Sequence, residues 1–291
     1  MVTVMRRISL FFVVMALALA SAACSSSDSG GSSSPEKAAG PRYVSLGDSY
    51  SAGPEIAPGD GLSGTCDRSL INYPHLVAKK VGAASFTDVS CSGATTTNVL
   101  HAAQIAQQGA VIPAQLDAVK PDTTLVTIGI GGNDDSMFSK LSTACTQPGT
   151  ACADYLKDKL PSVLRSTGKH VATTLEAIRA KAPKAEVILV GYLGVSPPSS
   201  GCEALGGAGL DTKGVSAGER SINSMMKSAA ADSGATYVSM SSLSKGHDAC
   251  AGDNAWTNGI TPKGLGEGAS LHPRAAGMAA VATAVEGDIT K

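Results

Sequence analysis

Three short turns in this chain carry residue types suited to acyl chemistry, and each follows an apolar run that reads as a strand. Ser49 sits in Gly47-Asp48-Ser49, directly after Tyr43–Leu46; Gly93 sits in Ser92-Gly93-Ala94, after Phe86–Val89; Asn133 sits in Gly131-Gly132-Asn133-Asp134, after Leu125–Ile128. In open α/β sheets ligands lie beyond the carboxyl ends of the strands, so the three turns are expected to share one rim. A serine there needs a base, because a free hydroxyl is a poor nucleophile at neutral pH. It also needs donors for the oxyanion that forms on attack. Each residue has a plainer use: Ser49 as a helix cap, Gly93 in a turn with positive φ, Asn133 and Asp134 as turn and cap residues. The α/β-hydrolase elbow G-x-S-x-G is disfavoured, because Gly47-Asp48-Ser49-Tyr50-Ser51 lacks the final glycine.

The elements that must position these turns alternate. After the strand at 43–46, a helix is predicted over Asn72–Val81 with Pro74 near its start, then a weak strand at Phe86–Val89 and a helix over Val111–Val119. The strand at Leu125–Ile128 follows, then a largely helical Tyr155–Lys181 in which Val171, Leu175 and Ile178 share one face. Val187–Val190 is another apolar strand, Val215–Ala231 a helix, Thr236–Met240 the last strand and Ala275–Val285 the closing helix. Such alternation, with strands that are continuously apolar, predicts a parallel sheet covered by helices on both faces. Residues 143–152, 196–210 and 245–271 read as long functional or disulfide-stapled loops.

With these elements in place, four blocks resemble the SGNH/GDSL hydrolase family: Tyr43-Val44-Ser45-Leu46-Gly47-Asp48-Ser49-Tyr50-Ser51-Ala52-Gly53, Ser92-Gly93-Ala94-Thr95, Gly131-Gly132-Asn133-Asp134 and Leu271-His272-Pro273. They occur in the family's order and span almost all of residues 42–290. The resemblance implies a flavodoxin-like three-layer α/β/α sandwich and a carboxylic ester hydrolase, a lipase or esterase working through a serine acyl-enzyme. It implies Ser49 as nucleophile, His272 as base and then acid, and an oxyanion hole made of the Ser49 and Gly93 N–H groups and the Asn133 side-chain amide. Imidazole suits both proton steps, and its ordinary pKa near 6.5 sets the expected midpoint of the rate profile.

Two positions depart from the family pattern. Residue 50 is tyrosine where the family has the leucine of its name, and Ala269 stands where the family often carries an aspartate, three residues before the histidine. A Ser-His dyad is therefore expected. The resemblance to secreted actinobacterial members implies that a backbone carbonyl, that of Ala269 or else Ser270, holds His272, with Asp253 and Glu267 as the remaining acids. Asp48 is expected to brace the serine turn. The other histidines, His75, His101, His170 and His247, lack metal-ligand spacing, and His170 reads as lying on a solvated helix face; neither a metal nor a cofactor is expected.

The N-terminus sets the compartment. Arg6-Arg7, the apolar run Ile8–Ala20 and the small residues Ser21-Ala22-Ala23 form a secretory signal over residues 1–23. As a helix that run spans roughly 20 Å, short of the ~30 Å a membrane requires. Cys24 stands where a lipoprotein signal carries its lipidated cysteine, and residues 24–41, rich in Ser and Gly, read as a tether ahead of the domain over 42–291. Removing Cys24 from the seven cysteines leaves six, suited to an oxidising compartment and open to fifteen pairings. The family resemblance implies Cys66–Cys91, Cys145–Cys152 and Cys202–Cys250. A formal net charge of −1 without basic blocks argues against nucleic acid. The expected partners are an acyl-ester or lipid substrate and the membrane that holds the Cys24 anchor, with the domain a monomer. Acyl transfer from the same site, or ligand binding by a non-catalytic envelope lipoprotein, are the alternatives.

Overall fold

The computed structural model describes residues 40–61, 64–105 and 111–289. The signal, Cys24 and nearly all of the tether lie outside the described residues. Five parallel strands form the central sheet: β1 (Arg42–Gly47), β2 (Ser85–Asp88), β3 (Leu125–Gly129), β4 (Glu186–Val190) and β5 (Thr236–Val238). Their spatial order is 2-1-3-4-5, the flavodoxin-like doubly wound order, whose switch point lies between β1 and β3.

Side chains alternate across the pleat and feed two cores. Val44, Leu46, Val126, Ile128, Val187 and Leu189 pack on one face with Val171, Leu175 and Ile178 of the helix Leu160–Lys181 and Ile222 and Met226 of the helix Thr212–Ser233. Tyr43, Leu125, Ile188 and Val190 point the other way, onto Val77 of the helix Tyr73–Lys80 and Met278, Val281 and Val285 of the helix Ala275–Ile289. Burial on both faces is why the central strands read as unbroken apolar runs. Among the described residues no helix is long and apolar enough to cross a membrane. The cysteines pair neighbour with neighbour: Cys66–Cys91, Cys145–Cys152 and Cys202–Cys250.

Three local expectations are corrected. Val111–Val119 is not a helix: Val111–Ile112 pairs antiparallel with Gln104–Ile105, and only Gln115–Ala118 forms a 3₁₀ turn. Pro113 forces the preceding residue to be extended and removes a helical N–H. Strand β5 ends at Val238, and Met240–Leu243 turns helical. A helix at Met137–Thr146 occupies the near end of the stretch read as a loop.

That 3₁₀ turn has a consequence for the rim. Gln115 is buried and binds both backbone groups of Gly47: its Oε1 accepts the Gly47 N–H at 2.7 Å and its Nε2 donates to the Gly47 carbonyl at 2.9 Å. The last residue of β1 is thus gripped two positions before Ser49. Gln115→Ala would leave the Gly47 N–H without an acceptor and its carbonyl with the Cys91 N–H alone; it is expected to cost about 1–3 kcal/mol, read as a lower midpoint in denaturant unfolding.

Candidate active site

Ser49 opens a four-residue helix, Ser49–Ala52, immediately after β1. The turn depends on glycine at 47: its φ is +137°, and a Cβ there would sit 2.4 Å from Ser51 Oγ and 2.7 Å from the Gly129 carbonyl. Asp48 caps the helix, Oδ1 accepting the Tyr50 N–H at 3.0 Å. Among the described residues nothing accepts the N–H of Ser49, as expected for a first-turn donor.

Ser49 and His272 meet directly. His272 Nε2 lies 2.8 Å from Ser49 Oγ, and Nδ1 lies 2.7 Å from the Ser270 carbonyl. A carbonyl only accepts, so Nδ1 carries the proton and Nε2 offers its lone pair to the serine hydroxyl. Burial holds the imidazole pKa below its ordinary 6.5, opposed by the Ser270 hydrogen bond and, more weakly, by the Glu55 and Asp67 charges. The orienting carbonyl is that of Ser270, which corrects the assignment to Ala269. The Ala269 carbonyl instead takes the backbone N–H of His272 at 3.2 Å and the Asn258 amide at 3.2 Å. Neither candidate acid bonds His272 among the described residues: Asp253 pairs with Lys263 and Glu267 with Arg274.

The other two turns are stitched to each other and to the serine turn. The Asn133 amide donates to the Ala94 carbonyl at 3.0 Å, which leaves its second hydrogen available. Asp134 accepts from the Thr96 N–H at 2.9 Å and the Thr96 hydroxyl at 2.5 Å. Cys91 donates its N–H to the Gly47 carbonyl at 3.0 Å, and its disulfide to Cys66 anchors the same loop. Gly93 has φ +79°, and among the described residues nothing accepts its N–H.

Ser49, Asn133 and His272 line one cavity of about 350 Å³, with Phe138, Leu141, Leu210, Val215 and Leu271 supplying apolar wall. Gly93 is exposed and is not among the residues that line it. His170 is largely exposed on its helix, its Nδ1 3.7 Å from Asp134. No three His, Cys, Asp or Glu side chains among the described residues converge as a metal site would require.

Sequence reasoning missed Tyr192 and Glu219. Tyr192 follows β4 by two residues, at the strand-end location that exposed the other turns, but no family block marks it. Its buried hydroxyl donates to Asp48 Oδ2 at 2.5 Å and accepts the Gly132 N–H at 2.8 Å, so one phenol links the serine turn to the asparagine turn. Burial pushes the Asp48 carboxyl up to about 7, against the pull of the Tyr192 hydrogen bond. Glu219 lines the cavity with both oxygens on the N–H groups of Val195 and Ser196, at 3.2 and 3.3 Å, and burial pushes it up to about 8. It had no sequence signal, lying within a helix.

Against this geometry the comparisons with known proteins are informative. The model of the GDSL-like lipase/acylhydrolase family matches residues 45–280. The chain is 38% identical to Lipase 2 of Streptomyces coelicolor over 248 residues, 81% of each chain, and 31% identical to a lipase of Streptomyces rimosus over 236 residues, 81% of this chain and 82% of that one. Among solved structures it is similar to phospholipase A1 from Streptomyces albidoflavus, at 29% identity, and to the extracellular lipase of S. rimosus, at 30%. Each has a TM-score of 0.69, and each match covers 86% of this chain and 99% of the other. The chain belongs to the GDSL-like lipase/acylhydrolase family. It is a carboxylic ester hydrolase of the lipase/esterase kind.

Raised carboxyls make a pH prediction. Glu219 and Asp48 bind protons more tightly folded than unfolded, so their stabilising contribution is complete below the ordinary carboxylate range and is lost as pH rises through about 7 to 8. Unfolding free energy is expected to fall from pH 5 to pH 9, and Glu219→Gln to flatten that fall, measured by denaturant titration at each pH.

Proposed function

We propose that this protein is a secreted ester hydrolase in which Ser49 and His272 act as a dyad through an acyl-enzyme. The observation that carries the reading is the 2.8 Å contact between Ser49 Oγ and His272 Nε2, in a ring whose Nδ1 is held by the Ser270 carbonyl. As Oγ attacks the ester carbonyl, its proton passes to Nε2. The C=O electrons move onto oxygen, where the N–H groups of Ser49 and Gly93 and the Asn133 amide stabilise the charge. Collapse expels the alcohol, protonated by Nε2–H, and leaves the acyl group on Ser49. Water then repeats the sequence, with His272 again taking a proton and returning it to Oγ.

The apolar wall of the cavity supports an acyl chain as its occupant, and the relatives named lipase and phospholipase A1 support a lipid ester as substrate. Ser49→Ala and His272→Ala should each lower kcat by roughly 10⁴-fold or more, and a fluorophosphonate should label the wild type at Ser49 and spare Ser49→Ala. Asn133→Ala should cost about 10²–10³-fold. Because His272 must be neutral to accept the proton and burial lowers its pKa, kcat/KM should rise with pH along a limb whose midpoint lies below 6.5. A flat profile from about pH 5 to 8 on a panel of p-nitrophenyl esters would count against this imidazole as base.

The leader over residues 1–23, with its two arginines and apolar run, supports export, and the S. rimosus relative is itself an extracellular lipase. Cys24 supports a lipid anchor, with residues 25–41 as tether. Cys24→Ala is expected to move activity from the cell envelope into the medium, measured by fractionation.

A further inference from the structure

Tyr50 occupies the position where the motif that names the family has leucine, and its hydroxyl is used. The phenol donates to the Leu271 carbonyl at 2.8 Å, joining the residue after the nucleophile to the residue before the base. Leu271 needs such a tie, because its φ of +58° is a left-handed conformation that a leucine adopts at a cost. The neighbouring backbone groups are engaged inside the loop itself: the Leu271 N–H donates to the Gly259 carbonyl at 2.9 Å, the His272 N–H to the Ala269 carbonyl at 3.2 Å, and the His272 carbonyl accepts the Asn258 N–H at 2.9 Å. These bonds move with the loop, whose earlier part is tied to the segment after the helix Ser49–Ala52 by the Gly268 N–H on the Glu55 carbonyl at 3.1 Å and the Ala269 N–H on the Pro54 carbonyl at 3.0 Å. The Tyr50 bond references the 271 end, on the far side of Ser270, directly to the helix that begins at Ser49. The ring is fixed in turn, edge to face with Tyr192 at 5.1 Å, stacked with Phe138 at 6.1 Å and tilted against His272 at 5.3 Å.

We propose that Tyr50 is a positioning residue, whose hydroxyl on the Leu271 carbonyl holds the 270–272 backbone where Ser270 accepts from His272 Nδ1, and so supplies part of the orientation that a carboxylate three residues before the histidine would otherwise give. The proposal rests on the reading of Ser49 and His272 as the dyad. A carbonyl orients an imidazole only as well as its own peptide is held, whereas a carboxylate brings charge as well as direction. The absence of a carboxylate at Ala269 and the presence of a phenol at Tyr50 therefore belong together.

The test is Tyr50→Phe, which keeps the ring packing and deletes one hydrogen bond. Active sites are counted by fluorophosphonate titration, and per-site kcat and KM are measured on p-nitrophenyl acetate and octanoate across pH. Per-site kcat is expected to fall about ten- to a hundredfold by the same factor on both esters, with KM changed less than about twofold. The acid limb should move to lower pH, because the Ser270 bond that favours the imidazolium weakens. The charged groups that face His272 from elsewhere, Glu55 and Asp67, and the carboxyls facing Tyr50, Asp48 and Glu219, are unchanged in the variant. A limb and per-site kcat equal to wild type would overturn the proposal; so would a loss confined to one chain length, which marks a substrate contact. Tyr50→Leu, which restores the family residue, tests the same point independently and should lose at least as much; wild-type turnover there also overturns it. Ser49→Ala run alongside separates the two claims: if it still turns over, the dyad reading itself fails, whereas an inactive Ser49→Ala with a fully active Tyr50→Phe removes only the role of Tyr50.

Discussion

The arrangement turns on one imidazole held between a neutral carbonyl and a hydroxyl. With the Ser270 carbonyl on Nδ1, the proton must sit there and the Nε2 lone pair must face Ser49. A carbonyl adds no charge to stabilise the imidazolium, and burial works against that charge as well, so the ring stays neutral to lower pH than an exposed histidine. Direction then has to come from the backbone around 258–272. Asn258 holds that stretch together, the two hydrogens of its side-chain amide shared among the carbonyls of Glu267, Gly268 and Ala269 at 2.8–3.2 Å.

The sheet delivers the remaining parts to the same edge. Adjacent parallel strands β1 and β3 end in register at Gly47 and Gly129, so the turns that follow leave the sheet side by side. Strand ends alone do not set distances of a few tenths of an ångström. Buried polar side chains do: Gln115 on Gly47, Thr96 on Asp134 and Tyr192 between Asp48 and Gly132. Each joins segments far apart in the chain, and each is buried where water competes weakly for its bonds.

Two buried carboxyls lie against this framework. Burial raises the Asp48 carboxyl to about 7 and the Glu219 carboxyl to about 8, so both gain or lose their proton near neutral pH.

Alternation of apolar runs with helical periods determined the layered parallel sheet, because strands covered on both faces and helices covered on one impose those patterns locally. Ser49, Asn133 and His272, which line one cavity, stood out for a similar reason: each lies in a short block of distinctive residue types, as does Gly93, which lies exposed outside that lining. The tertiary structure alone decided the orienting carbonyl, since every residue has one and only the turn at Leu271, with its positive φ, selects that of Ser270 over that of Ala269. It also decided the partners of Tyr50, Tyr192, Gln115 and Glu219. A hydrogen bond spanning 221, 144 or 68 residues leaves no periodicity, and a buried glutamate in a helix reads like an exposed one until the chain closes over it.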